Sequence, residues 1–262
     1  MILNNQIAFI SCVNDENMYS KCLKYVNQLN LPKGYSYETI AIRNAKSLTS
    51  GYNEAMLKSS AKYKVYLHQD TYIINRNFIH DLISIFAQNP QVGLLGVAGA
   101  ESLRINGIWG KSKQRYGKLI ENATNNSFVD SFRLLEFKRV PNLKPVQCVD
   151  GLLIITQYDI PWRQDIFCGW HFYDISQCME FKRAGYQVCI PEQIKPWCIH
   201  DCGVLNKKDF DKYRYIFLKE YSHDLFGIGF FPVMLINKFK EGVRPYTRKI
   251  ELAVKEVLRF NR

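Results

Sequence analysis

The stretch Lys62-Tyr63-Lys64-Val65-Tyr66-Leu67-His68-Gln69-Asp70 decides the fold. Lys64 to Leu67 reads as a short buried strand that runs straight into three polar residues. Its meaning comes from its neighbours. Upstream, Ile7 to Val13 is an apolar run bounded by Asn14-Asp15-Glu16, a strand followed by a helix start. Cys22, Tyr25, Val26 and Leu29 follow at helical spacing, and Pro32-Lys33-Gly34 is a turn. Tyr37 to Ile42 reads as a second strand and Ser47 to Ala61 as a helix. Downstream, Phe78, Leu82, Ile83, Ile85 and Phe86 mark another helix, stopped by Asn89-Pro90, and Val92 to Ala98 is a fourth strand.

Strands alternating with helices predict an α/β fold, a mostly parallel sheet with helices on its faces. Ligands in such sheets bind beyond the carboxyl ends of the strands. That rule brings Asn14-Asp15-Glu16, Arg43-Asn44-Ala45 and His68-Gln69-Asp70 to one crevice.

The alternation stops after residue 98. Residues 99–145 are Gly-rich and polar, with Trp109 and many Lys and Arg, and read as an irregular excursion over the site. Val146 to Thr156 is a strand pair or one long strand holding Asp150-Gly151. Gly169 to Ala184 reads as a helix closed by Gly185, and Val188 to Ile190 as a short strand. The last sixty residues read as helical and basic. The expected division is a domain over 1–205 and a helical basic extension over 206–262, without internal repeats.

Of the 262 residues, 47% are hydrophobic and 23% charged, enough apolar side chains for a sizeable core and too few charges for a disordered chain. The net charge of +11 suits a polyanionic partner, an anionic membrane surface or a phosphate-bearing ligand, and does not choose among them. No stripe of Arg and Lys interleaved with stacking aromatics is present, so nucleic acid is not expected as a partner. The eight cysteines form no CxxC pair, and the N-terminus lacks the basic and apolar regions of a signal peptide. Both features lead to an expectation of a cytoplasmic protein with reduced thiols, in which the sequons at Asn122 and Asn125 are chance matches.

Three constellations could carry chemistry. Asp70, at a strand end, can ligate Mg²⁺ or Mn²⁺ or simply cap a turn. Asp174, in Trp170-His171-Phe172-Tyr173-Asp174, stands at a helix start, where it can deprotonate a hydroxyl or act as an N-cap. Cys198, His200 and Cys202 have a spacing that suggests zinc, but structural zinc takes four ligands and Cys189 is the only near fourth thiol. Strand alternation would place the three on one face, so packing is the plainer reading.

Together these segments resemble family-2-type glycosyltransferases with the GT-A fold, and look closest to the branch named after a streptomycin-biosynthesis protein. The resemblance is carried by Phe9-Ile10-Ser11-Cys12-Val13-Asn14-Asp15-Glu16, Gly51-Tyr52-Asn53-Glu54-Ala55-Met56, the stretch ending at Asp70, Val149-Asp150-Gly151, Gly169 to Asp174, Gly185-Tyr186 and His200-Asp201-Cys202-Gly203. It covers about residues 5 to 205. It implies a nucleotide-sugar donor whose base and ribose meet Asn14, Glu16 and Asn44, with Tyr52 and Asn53 lining the diphosphate-sugar side. His68-Gln69-Asp70 falls where the family carries Asp-x-Asp, with only the last acid kept. By the same resemblance, Asp70 and His200 hold a divalent cation, Mn²⁺ or Mg²⁺. Asp174 matches the base of inverting members, while the Glu before it in the family is Tyr173 here. Asp150, Gly151, Trp170 and His171 are expected against the donor sugar or the acceptor.

The implied activity is sugar transfer to a hydroxyl of a glycan, lipid-linked or small-molecule acceptor, in surface polysaccharide or glycoconjugate synthesis. The competing reading is a nucleotide-sugar- or glycan-binding protein on the same fold without turnover. A nucleotidyltransferase would need a Gly-rich phosphate loop after the first strand, and none is there. The apolar stretch Leu225 to Ile236, followed by Lys238, Lys240, Arg244, Arg248 and Lys249, suits either a packed C-terminal helix or peripheral contact at the inner face of a membrane. It is too short to span one.

Overall fold

The computed structural model describes residues 2–122, 132–203 and 207–238. The chain opens with β1 (Leu3–Val13), α1 (Glu16–Val26), β2 (Ser36–Arg43), α2 (Leu48–Lys58), β3 (Ala61–Leu67), β4 (Thr71–Ile73), α3 (Phe78–Gln88) and β5 (Val92–Gly96). It continues through β6 (Ala98–Ala100), β7 (Arg115–Asn122), β8 (Phe132–Glu136), β9 (Leu143–Pro145), β10 (Cys148–Val149) and β11 (Leu153–Thr156). Last come α4 (Tyr173–Arg183), β12 (Gln187–Pro191), β13 (Cys198–His200) and α5 (Phe210–Phe226).

The main sheet has the order β2-β1-β3-β11-β5-β12-β9. Parallel pairing joins β1 to β2 and β3, and β12 to β5, while β11 and β9 run against their neighbours. The sheet is therefore mixed and mostly parallel, as expected. Its central strands are buried on both faces: β3 and β11 carry almost no exposed side chain. One apolar cluster lies on each side, around Tyr52, Tyr66, Trp162 and Phe181 on one and Phe9, Phe78, Phe86 and Leu95 on the other.

Local chemistry explains where the helices begin. The Asp15 side chain accepts from the backbone N–H groups of Asn17 and Met18, so Asn14-Asp15-Glu16 is an N-cap as well as a strand exit. Ser47 and Ser50 close a capping box on α2. That helix stops at Lys58, earlier than its apolar pattern suggests, because Ala61 already pairs with Leu3 in the sheet.

Residues 99–145 correct the expectation of an irregular excursion. Much of this stretch is β-structure in a second sheet, ordered β10-β6-β7-β13-β4, with β8 pairing to β7. The apolar run at 92–98 is accordingly two strands, β5 in the main sheet and the start of β6 in the second. Gly117 permits the crossing: at φ +95° it sits against the Val97 carbonyl, where a Cβ would come within 2.0 Å.

The helix α5 is packed on the body of the protein: Tyr213, Phe217 and Tyr221 are buried in the cluster that holds Phe167 and Phe172. Ionic contacts tie it down as well. Glu220 accepts from Arg163 at 3.0 Å and from Arg183 at 2.9 Å. Gly227 ends the helix in the left-handed region and interrupts the apolar stretch read from the sequence. Residues 230–238 are helical again, with Val233 buried and Phe231 and Leu235 exposed. Lys240, Arg244, Arg248 and Lys249 lie outside the described residues. Among the described residues no helix is long and apolar enough to cross a membrane.

Candidate active site

The site is assembled where the main sheet meets the second sheet. β3 ends at Leu67, and His68-Gln69-Asp70 turns the chain into β4. β4 pairs antiparallel with β13 in a register that sets Thr71 opposite His200, so His200 arrives beside Asp70. Leu153 of β11 pairs with Leu67, and the His68 N–H donates to the Leu152 carbonyl at 3.1 Å. That contact brings Asp150 and Gly151 to the same turn. The first turn of α4 then adds Tyr173 and Asp174 from the other side: the Gly151 N–H donates to Asp174 Oδ2 at 3.1 Å.

The centre of the site is a group of His68, Asp70 and His200 whose ligand atoms lie within 4.8 Å of one another. Asp70 Oδ1 is 3.6 Å from His200 Nε2 and 3.9 Å from His68 Nδ1. Both gaps are too long for a hydrogen bond. Asp70 Oδ1 is buried and has no hydrogen-bond partner. A buried carboxylate oxygen left unsatisfied is costly unless something else meets it, and a cation is the partner these residues suit. Burial lowers His200 to about 4, with Asp70 opposing, so its imidazole is neutral and has a lone pair to offer.

Two further acids face the same space. Burial pushes Asp174 up to about 6, against the backbone amides of Ile175, Asp174 and Gly151 that favour its charged form. Burial and then the charge of Asp174 push Asp150 up as well, with His68 opposing. A carboxyl raised toward neutrality can take a proton from an approaching hydroxyl. Phe172, which precedes α4, is held at φ +63°, a conformation that costs a side-chain-bearing residue about 1–3 kcal/mol. Its ring is wedged 5.0 Å from Phe210 and 5.6 Å from Phe217, which holds the strained turn and thereby aims Tyr173 and Asp174.

The remaining sequence candidates divide. Asn14, Glu16 and Asn44 stand at the carboxyl ends of β1 and β2, exposed at the rim, with Asn44 at φ +59°. Glu16 forms a two-pronged ion pair with Arg43, which was not expected. Gln69 is occupied within the protein: Oε1 accepts from the N–H groups of Asn14 and Asp15, and Nε2 donates to Asn14 Oδ1. Trp170 is 53% exposed at the rim. His171 is turned toward the start of α5, its Nε2 2.9 Å from the Lys208 carbonyl.

Tyr52 and Asn53 do not line the site. Tyr52 is wholly buried among Tyr66, Trp162 and Tyr173. Both amide atoms of the Asn53 side chain are used on the Trp162 backbone. They support the floor of the site from below, because α2 packs its apolar face on the sheet. The zinc spacing also dissolves: Cys198 is fully buried, and among the described residues Cys202 joins His200 only together with Glu121.

Sequence reasoning missed three participants. Tyr173 Oη lies 2.5 Å from His68 Nε2. Asp201 binds Asn122 at 2.8 Å and Lys21 at 3.2 Å, which locks β7 and α1 to the His200 strand. Glu121 lies beside His200 and Cys202. Asp201 and Glu121 gave no local signal, since their partners come from distant segments.

The profile of the family described as "Glycosyltransferase like family" matches residues 8–221, reaching through most of α5. No curated protein matches the chain. Among solved structures, S. aureus TarS aligns with a TM-score of 0.52 at 10% identity, over 82% of this chain and 39% of that one. A shorter form, TarS 1-349 with UDP, gives 0.49 at 10% identity over 82% and 64%. The mannosyltransferase PcManGT from Pyrobaculum calidifontis, solved with GDP-Man and Mn²⁺, gives 0.47 at 10% identity over 82% and 61%. This chain thus spans less than two thirds of each of these structures. With the profile matched over most of its length and a mixed sheet flanked by helices, the chain belongs to the glycosyltransferase-like family and has the GT-A fold.

Proposed function

We propose that this protein transfers a sugar from a nucleotide-diphosphate-sugar to an acceptor hydroxyl, with inversion, using Asp174 as the base. The observation that carries the reading is the position of Asp174: a carboxyl raised to about 6, held by the Gly151 amide, and next in the chain to Tyr173, which touches His68 of the His68-Asp70-His200 group. Asp174 takes the proton as the acceptor oxygen forms its bond to the anomeric carbon. The bond from that carbon to the diphosphate oxygen breaks, and its electron pair leaves with the nucleoside diphosphate. Asp70 and His200 would hold a divalent cation, Mn²⁺ or Mg²⁺, which when bound neutralises charge on the leaving diphosphate. The exposed face of Trp170 suits a sugar ring, and Asn14, Glu16 and Asn44 at the strand ends suit the nucleoside. The order of these segments also supports placing the chain near the streptomycin-biosynthesis-protein-like branch of the family.

The reading extends to location and acceptor. All eight cysteines are free thiols, which favours a reducing compartment such as the cytoplasm. Phe231 and Leu235, 80% and 68% exposed beside Lys238, favour contact with an anionic membrane and with it a lipid-linked acceptor of surface polysaccharide or glycoconjugate synthesis. Flotation with anionic liposomes at low salt tests this, and the protein should rise with the vesicles.

The central test is a thermal-shift screen of UDP-, GDP-, dTDP- and CMP-sugars with Mn²⁺. A donor at 100 times its dissociation constant stabilises the folded state by about 2.7 kcal/mol. One donor should raise the melting temperature and be consumed in the presence of acceptor. If no donor binds and none is consumed, the reading fails. A donor that binds tightly but is never consumed favours the second reading, a binding protein without turnover, which the departures from the acidic motifs at His68 and Tyr173 support.

A further inference from the structure

The two positions at which the site departs from the acidic pattern of its resemblance are in contact. His68 stands where that pattern has an acid, and so does Tyr173; His68 Nε2 lies 2.5 Å from Tyr173 Oη. The phenol has little freedom. Its ring is buried against Tyr52 and Trp162, and its oxygen is pressed on Gly151, where a Cβ would come within 2.1 Å. With Nε2 occupied by Tyr173, the imidazole turns Nδ1 toward Asp70 Oδ1, 3.9 Å away. Asp70 Oδ1 is the buried oxygen without a hydrogen-bond partner, and His200 Nε2 closes the group at 3.6 Å. These gaps are narrow enough for one ion with bonds of about 2.1 Å to reach both members of each pair.

We propose that His68 is a third protein ligand, through Nδ1, of a cation held with Asp70 and His200, and that Tyr173 is the positioning residue that sets its tautomer. Ligation at Nδ1 requires the Nε2 proton to stay on the ring and point to an acceptor, which Tyr173 Oη supplies. The two departures therefore compensate each other: an acid is lost at position 68, and the residue that orients its replacement appears at position 173.

The ligand chemistry sets the ion. Two imidazoles and one carboxylate suit a first-row transition-metal ion such as Mn²⁺, Fe²⁺, Co²⁺ or Zn²⁺, whereas Mg²⁺ prefers oxygen ligands and keeps its waters. The site thus selects a transition-metal ion over Mg²⁺. This inference rests on the glycosyltransferase reading only for what the ion does, because binding of the ion is measured without donor.

The test uses the full chain stripped with chelator and titrated with MnCl₂ or MgCl₂ in a calorimeter. Nitrogen couplings are then read from the electron-spin-echo signal of bound Mn²⁺. Mn²⁺ should bind at least 10-fold more tightly than Mg²⁺, with couplings from two imidazoles. His68→Gln should weaken Mn²⁺ by 10-fold or more and leave one imidazole coupling, and His68→Asp should restore binding while narrowing the preference for Mn²⁺. Tyr173→Phe, which keeps the packed ring, should weaken Mn²⁺ about 10-fold at an unchanged melting temperature. Wild-type protein with equal affinity for both ions, or His68→Gln with wild-type Mn²⁺ binding, overturns the ligand role. Tyr173→Phe with wild-type Mn²⁺ affinity overturns the positioning role. Nucleotide-sugar binding that persists without Mn²⁺ selection would remove this inference and leave the proposed function. Mn²⁺ bound by two imidazoles with no nucleotide-sugar binding would do the reverse.

Discussion

The Gly151 N–H reaches Asp174 Oδ2 at 3.1 Å only because Gly151 carries no side chain. A Cβ there would stand 2.1 Å from Tyr173 Oη and 3.0 Å from Asp174 Cβ. Gly151→Ala must push α4 away from β11 or displace the phenol, and overpacking of this kind costs about 1–3 kcal/mol. The expected result is a lower melting temperature together with loss of turnover of 10-fold or more, since Asp174 loses its fixed place. Turnover equal to wild type in a stably folded variant would mean that this contact does not position the base.

Asp174→Asn should retain donor binding and lose about 10²- to 10⁴-fold in turnover, the range a positioned general base contributes. Stability should move the other way. Burial raises the folded Asp174 from 3.8 to about 6, so the folded state holds this proton more tightly than the unfolded chain does. Its stabilising contribution is full below about 3.8 and is lost as pH rises through about 6. The rise is equivalent to about 3 kcal/mol. Asn cannot titrate, so the variant should melt above wild type at pH 7.5 and the difference should shrink by pH 4. Wild-type turnover should climb through pH 6 and level off above it.

Gln69 is a latch between two loops, its side chain joined to Asn14 twice and to Asp15 once. Gln69→Ala should cost about 1 kcal/mol or slightly more, because water can reach the freed amides. Hydrogen exchange is the sharper readout. The amides of Asn14 and Asp15 should exchange at least 10-fold faster while those of β3 stay protected. Donor affinity should fall with them if the rim at Asn14 and Glu16 meets the nucleoside.

Glu220 joins α5 to Arg163 and Arg183, and the same cluster takes in Glu180 and Asp224. Burial pushes its carboxyl up, but the guanidiniums of Arg183 and Arg163 outweigh burial and hold it below its ordinary value. The contribution is therefore present above the ordinary carboxylate range and lost as pH falls through the folded value. Glu220→Ala should destabilise by about 1–2 kcal/mol at pH 7, with a smaller difference in molar salt. A melting temperature that does not respond to the substitution would show that the aromatic contacts of Tyr213, Phe217 and Tyr221 suffice to dock α5.

Different parts of the molecule were legible to different degrees. β1, β2, β3 and α3 lie where short apolar runs and a helical period mark them, because both signals are written in consecutive residues. The second sheet escaped that reading. β8 exposes Phe132 and Leu134, and β7 and β8 are laced by pairs such as Lys118 with Glu136 and Arg133 with Glu121, so neither shows an apolar run. Tyr52 misled for a related reason: an aromatic on α2 has the same letter whether it faces a ligand or the core, and only packing against Trp162 and Tyr66 decides.

By itself the sequence determined the alternating strands and helices, the helix start at Asn14-Asp15-Glu16, and the candidate groups Asp70, Asp174 and His200. Each depends on neighbours a few residues away. The tertiary structure alone decided that His68 meets Tyr173, that Gln69 is taken up by Asn14, and that Tyr52 lies under the floor. The first two contacts depend on the register of β11 against β3 and of β1 against β3, and the third on how α2 lies on the sheet. Strand register is set by the burial of whole faces across the sheet, a sum over many distant residues that no short stretch of sequence contains.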